Sequence, residues 1–105
     1  MKFPMRIYGE VQGFEEHRLQ ELQKRDLSPF ELRDGRLEVD YEGPPMEIEM
    51  LLDDIAASLG ENGQGHVDVL DHDEWEVRRY QLSPGTWDCT RVNPDHSLEG
   101  YLHLK

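Results

Sequence analysis

The stretch at residues 8–18, YGEVQGFEEHR, combines two glycines with two adjacent glutamates. It lies between an alternating apolar segment and a helical pattern, which predicts a turn from a strand into a helix. The first amides of a helix point outward without partners, and glycines let a ligand approach closely, so such a turn can cradle an anion. Glu15 and Glu16 place two negative charges in the same turn, which opposes that chemistry.

Histidine and aspartate side chains come close together along residues 66–73. His66 and Asp68 share one face of a predicted strand, and Asp71, His72 and Asp73 follow in a turn. A metal site needs three or four ligands that converge on one point, and nothing in the sequence indicates convergence. The chain also lacks a P-loop, a dinucleotide-binding glycine pattern and a Ser-His-Asp order. We therefore expect no metal and no cofactor.

The composition narrows the class of partner. The chain has 105 residues, 36% hydrophobic and 32% charged, with a formal net charge of −12. This length suits one domain with a modest core. The excess of acid disfavours nucleic acid binding, which needs lysine and arginine against the phosphates, and it disfavours small polyanionic substrates. The composition is therefore still compatible with a protein partner.

Other sequence features bear on location and assembly. The apolar runs fall short of the roughly 20 residues that a membrane helix needs, and the N-terminus lacks a signal-peptide pattern. The single cysteine, Cys89, excludes an internal disulfide and is expected to be buried and inert. We expect a cytoplasmic monomer that does not bind membranes.

The hydrophobic pattern predicts the order β-α-β-β-α-β, followed by a hairpin and a last strand. The predicted elements are a strand over 3–11, a helix over 14–25, a hairpin over 30–41, a helix over 46–59, a strand over 66–70, a hairpin of 75–82 with 86–92, and a strand over 100–105. Asp34-Gly35 is a strong hairpin signal and puts Leu32 opposite Leu37. The alternation slips between Val77 and Tyr80, which predicts a bulge near residues 78 and 79.

The first six elements predict an α+β fold, a ferredoxin-like βαββαβ sandwich with two helices on one face of an antiparallel sheet. The other face is expected to be charged and solvated. It carries Arg6, Tyr8, Glu10, Glu31, Arg33, Arg36, Glu38, Asp40, His66 and Asp68.

Several motifs resemble the acylphosphatase family. Residues 9–13, GEVQG, resemble its GxVQG loop, and residues 34–39, DGRLEV, followed by Glu42-Gly43, resemble its DGRVEV…EG segment. The resemblance covers about residues 5–71 and 98–105. It implies one acylphosphatase-like domain over 1–105, with an inserted hairpin at about 75–95, so a core is expected to survive removal of residues 76–93.

The resemblance also implies a site that hydrolyses carboxyl phosphates without a metal. Its phosphate loop falls on Gln12, Gly13, Phe14, Glu15 and Glu16. The family's arginine position holds His17, and its asparagine position holds Glu31. Arg18 stands one residue further, which turns a side chain by about 100° along a helix.

Three functions stay open at this point. Glu15 and Glu16 repel a bound phosphate but stabilise a helix start, which favours a domain that lacks efficient hydrolase activity and acts as a binding or interaction module. The first alternative is an active acylphosphatase that uses the 9–18 loop with Arg18, His17 and Glu31. The second alternative is an acidic decoy for a basic protein surface.

Overall fold

Residues 4–92, which the computed structural model describes, form an α+β fold with one antiparallel sheet of six strands and two helices. The elements are β1 Met5–Phe14, α1 Glu16–Leu22, β2 Phe30–Arg33, β3 Arg36–Gly43, α2 Glu49–Ala57, β4 Leu59–Asp71, β5 Glu76–Ser83 and β6 Thr86–Val92. The predicted α+β class is confirmed. The strand predicted over 100–105 lies outside the described residues.

The strand order across the sheet is β2-β3-β1-β4-β5-β6. Strand β1 pairs antiparallel with both β3 and β4, so each helix joins two strands that flank a third one. This arrangement is compatible with a ferredoxin-like fold. The β5–β6 hairpin extends the sheet beyond β4.

The first hairpin has the predicted register. Asp34 and Gly35 form its two-residue turn with φ angles of 53° and 78°, and Leu32 lies opposite Leu37. A turn in which both central residues have positive φ matches the right-handed twist of the two strands. The hairpin therefore presents Leu37, with no exposed surface, to the core.

A single hydrophobic cluster fills the space between the sheet and the helices. Leu22 of α1 and Leu52 and Ile55 of α2 belong to it. The strands contribute Met5, Ile7, Val11, Phe30, Leu37, Val39, Leu59, Val67, Val69, Tyr80 and Leu82. We call the opposite side of the sheet the open face.

The second hairpin is part of this cluster. Tyr80 is fully buried, and its hydroxyl donates a 2.8 Å hydrogen bond to Glu49 at the start of α2. Further along, the Gly85 amide donates to the Ala56 carbonyl at 2.9 Å, and the Trp87 indole donates to Asp53 at 2.7 Å. This packing argues against the expectation that residues 76–93 can be removed without loss of the core.

The bulge predicted near residues 78 and 79 is wrong. The β5 register is unbroken against both neighbours. Tyr80 faces the helices, whereas Val77 faces the open side opposite Leu70 and is only 5% exposed. The alternation slips because one strand buries an apolar residue on each face.

The connections near the helices also differ from the prediction. Helix α1 begins at Glu16 because Phe14 still belongs to β1, and α2 ends at Ala57 because Leu59 already pairs with Phe14. Strand β4 is therefore much longer than the predicted 66–70. Its first residues fix the β1–α1 junction.

Candidate functional site

The β1–α1 junction, residues 12–18, is not the glycine loop that the sequence predicts. Gln12 pairs with Gln64, and the register shifts before Phe14 pairs with Leu59. Gly13 has a φ of +86°, and a Cβ atom there would lie only 2.6 Å from the Cα of Gly63. The two backbones are therefore in direct contact, and this segment continues the sheet up to the helix.

Glu15 caps helix α1 with its own side chain. Its Oε1 accepts from the His17 amide at 3.0 Å, and its Oε2 accepts from the Arg18 amide at 3.2 Å. Its own amide donates to the Ser58 carbonyl at 3.0 Å. Two amides of the helix start therefore hold a carboxylate of the same chain.

The charge of Glu15 is stabilised by this cap. The hydrogen bond from the His17 amide is the largest cause that lowers the pKa of the Glu15 carboxyl. Desolvation opposes it as the second-largest cause, and the Arg18 amide and the nearby positive charges lower the pKa further. The carboxylate thus stays ionised at neutral pH and opposes a second anion at the same amides.

Arg18 is held within the protein on two sides. Its Nε lies 3.7 Å from Glu15 Oε2, and its Nη1 donates to the Ala57 carbonyl at 3.5 Å, at the C-terminal end of α2. His17 and Glu16 are exposed. The guanidinium therefore joins the cap of one helix to the end of the other.

The three predicted catalytic residues, His17, Arg18 and Glu31, line two separate hollows. Glu15, His17 and Arg18 line a hollow of about 550 Å³ between the helices, which also contains the 2.6 Å pair of Arg25 with Asp54. Glu31 lines a hollow of about 560 Å³ on the open face. Its carboxylate lies 3.2 Å from Arg33 and its strand position is opposite Glu38. A water held by Glu31 would thus belong to a different hollow from the one that Arg18 lines.

The open face holds an ion pair between a buried carboxylate and a half-exposed arginine, which sequence reasoning missed. The Asp68 carboxylate accepts from Arg79 Nε at 2.8 Å and from Arg79 Nη2 at 3.0 Å. Asp68 is only 2% exposed, so the expectation of a fully solvated face is wrong at this residue. A signal was present: Asp68 and Arg79 lie equally far from the β4–β5 turn, which pairs Asp71 with Glu76.

Every lysine and arginine side chain within residues 4–92 lies within 4.0 Å of a carboxylate oxygen. The pairs are Arg6–Asp40, Arg18–Glu15, Lys24–Glu21, Arg25–Asp54, Arg33–Glu31, Arg36–Glu10, Arg78–Glu76, Arg79–Asp68 and Arg91–Glu76. Exposed pairs of this kind stabilise a protein little, but they neutralise each cation locally. The remaining carboxylates account for the acidic surface.

The two tryptophans have different environments. Trp87 is half-buried and lies edge-on to Tyr80, with ring centroids 5.2 Å apart. Trp75 is 53% exposed in the β4–β5 turn, with a φ of 55°. Cys89 is half-buried rather than buried.

No protein-family model matches the sequence, and no curated protein or solved structure matches it at the required significance. In the part of the chain from residue 4 to residue 92, neither helix is long and apolar enough to cross a membrane. The same residues contain no group of three histidine, cysteine or acidic side chains that could hold a metal ion. The geometry of the junction and the distribution of charge are therefore the features of this chain that bear on its function.

Proposed function

We propose that the chain is a divergent acylphosphatase-like domain that lacks efficient hydrolase activity and acts by binding a protein partner. In this proposal a ferredoxin-like βαββαβ core is extended by the β5–β6 hairpin. The observation that carries it is the Glu15 carboxylate on the amides of His17 and Arg18.

Phosphoryl transfer needs mainly positioning and stabilisation of charge on the equatorial oxygens. Backbone amides and one bidentate guanidinium can supply that stabilisation. Here Glu15 already holds two amides and lies beside the Arg18 guanidinium. A phosphate would have to displace a carboxylate and then sit beside the exposed Glu16. The junction therefore favours a helix start over an anion site.

The charge distribution supports a partner with a basic surface. The net charge is −12, and each described cation already has a carboxylate neighbour. The surplus of carboxylates is therefore available to lysine and arginine of another protein, and attraction of this kind speeds association. The acidic decoy is the form of this proposal in which the partner surface normally binds a polyanion.

Hydrolysis of benzoyl phosphate by the purified protein tests the loss of activity. We expect a rate close to that in buffer, and we expect no shift of the His17 and Arg18 amide resonances when inorganic phosphate is added. Robust hydrolysis that is lost in Arg18→Ala would overturn the proposal and establish an active acylphosphatase. Arg6→Ala is the matched control, because it removes an exposed arginine of the open face that lies outside the candidate site.

A further inference from the structure

The two edges of the sheet differ in how well they are protected. Strand β2 has four residues, follows Pro29 and carries the exposed charges Glu31 and Arg33. Strand β6 has seven residues, lacks proline and keeps an unbroken register with β5. Short length and proline are features that blunt an edge strand, whereas exposed charge does not separate the two strands, because β6 carries Asp88 and Arg91. Within residues 4–92, β6 therefore presents the longer and less protected edge.

The hairpin turn fixes which backbone groups of β6 face outward. Ser83 lies opposite Thr86 across the two-residue turn, so this pair exchanges backbone hydrogen bonds. In an antiparallel pair of strands, residues that hydrogen-bond across the pair alternate with residues whose N–H and C=O groups point away from the partner strand. The N–H and C=O groups of Trp87, Cys89 and Arg91 therefore point away from β5, where an added strand could bind them.

The side chains along β6 indicate what such a strand would carry. On the open side, the exposed Asp88 lies between Thr86 and Thr90. On the helix side, the half-buried Trp87 lies beside Asp53 of α2, to which its indole donates. Arg91 also lies on the helix side, where its guanidinium is 3.7 Å from Glu76. A segment beside β6 would thus meet a carboxylate on the open side, and an aromatic surface and a paired arginine on the other. Lysine or arginine at alternate positions, with apolar or β-branched residues between them, fits this pattern.

We propose that β6 is a docking edge for an extended, basic segment of a partner protein, which adds to the sheet as a further strand. Backbone hydrogen bonds would supply affinity, and alternate side chains would supply specificity. The inference rests on the proposed binding function, and it specifies where the partner binds and in which conformation. Pairing of two β6 edges is disfavoured, because it would bring together two chains that each carry a net charge of −12.

Amide hydrogen exchange of the full chain tests the edge directly. We expect the amides of Trp87, Cys89 and Arg91 to exchange quickly, and those of Asp88 and Thr90 to be protected by β5. If the outward amides are already protected in dilute protein, and lose that protection when residues 96–105 are removed, the chain occupies its own edge and the inference is wrong. Protection that appears only at high protein concentration would assign the edge to a second copy, with the same consequence.

Binding is tested with a labelled peptide of about nine residues that alternates lysine and threonine, measured by fluorescence anisotropy. A peptide that alternates glutamate and threonine is the charge control. Cys89→Pro removes one outward N–H and leaves the backbone hydrogen bonds between β6 and β5 in place. Cys89→Ala removes only the thiol and keeps that N–H. We expect Cys89→Ala to bind the lysine peptide like the unmodified protein. We expect the affinity of Cys89→Pro for the same peptide to be lower, by up to about tenfold. If Cys89→Pro fails to fold, Arg91→Pro with Arg91→Ala replaces the pair.

The outcomes separate the two proposals. If the lysine peptide binds equally well to Cys89→Pro and Cys89→Ala, binding occurs elsewhere on the acidic surface, and only the edge inference fails. If neither peptide binds the unmodified protein, the basic partner class itself is wrong, and with it the binding function. Peptide-induced protection of the three outward amides, absent in the proline variant, is the expected result.

Discussion

The β1–α1 junction and the open face each contain a carboxylate beside an arginine, but the two pairs differ in burial. At the junction, the side chains of Arg18 and Glu15 are 61% and 43% exposed, and the charged atoms lie 3.7 Å apart. On the open face, the Asp68 side chain is 3% exposed and Arg79 contacts it at 2.8 Å. The region with the recognisable motif thus holds the weaker pair, and the region without a motif holds the stronger one.

The two carboxylates also differ in the groups that they contact. Glu15 acts mainly on backbone amides, so its loss frees two donors that water can reach. The Asp68 carboxylate is removed from water and accepts two hydrogen bonds from the Arg79 guanidinium. Exposed pairs contribute about 0–1 kcal/mol, whereas a buried acceptor that loses hydrogen bonds from a charged donor costs about 1–3 kcal/mol.

The largest expected effect comes from removing the hairpin that carries Arg79. We expect a chain in which residues 76–93 are replaced by a short turn to lack a cooperative thermal transition, because Tyr80 and Leu82 leave the core cluster. Circular dichroism with heating measures this. A sharp transition in the deleted chain would show that the four-strand part folds alone and that the buried pair is dispensable.

A single substitution isolates the pair itself. We expect Arg79→Ala to lower the free energy of unfolding by about 2 kcal/mol, because the buried Asp68 carboxylate loses both hydrogen bonds from the half-exposed guanidinium. Arg18→Ala is the matched change at the junction and should cost less than about 1 kcal/mol. Urea denaturation measures both. Equal losses in the two variants would remove the distinction between the regions.

A smaller effect is expected for Glu15→Ala. The variant should melt a few degrees lower, because the His17 and Arg18 amides lose their cap. Glu16→Ala, which removes an exposed neighbouring charge, should change the melting temperature less. Inorganic phosphate should shift the two amide resonances only in Glu15→Ala. A phosphate response in the unmodified protein would contradict the view that the carboxylate fills the site.

The smallest effect is a pH dependence. The pKa of Glu15 is lowered in the folded protein from its ordinary value of 4.5, so its stabilising contribution is complete above that value. The contribution is lost as the pH falls through the lower pKa of the folded state. The difference in melting temperature between the unmodified protein and Glu15→Gln should therefore shrink below pH 4.5. A difference that grows on acidification would reverse the assigned direction of the pKa shift.

Local features of the fold could be predicted from the sequence, and features that depend on distant pairing could not. The turn at Asp34 and Gly35 and its register follow from two residues with positive φ. The end of β1 depends on residues 59–64, which no pattern near Gly13 indicates. The pattern at Val77 indicates a bulge only if a strand buries one face, whereas β5 buries Val77 on one face and Tyr80 on the other.

The candidate site likewise has features that could be predicted from nearby residues and features that depend on distant pairing. The filling of the junction by glutamate was predictable, since Glu15 stands beside the amides that it caps. The separation of Glu31 from Arg18 depends on which hollow each side chain lines, and the burial of Asp68 depends on the β4–β5 register. Neither the separation of Glu31 from Arg18 nor the burial of Asp68 can be derived without the strand pairing of the whole sheet.

The contact between Gly13 and Gly63 has a consequence for saturation mutagenesis of this chain. A side chain at Gly13 would collide with backbone atoms and would also need a φ of +86°, so nearly every substitution there should reduce the yield of folded protein. A selection that scores abundance would then rank Gly13 among the least tolerant positions, whether or not an anion ever binds. Intolerance at the second glycine of GEVQG would therefore report a close backbone crossing, and it should not be interpreted as a trace of catalysis.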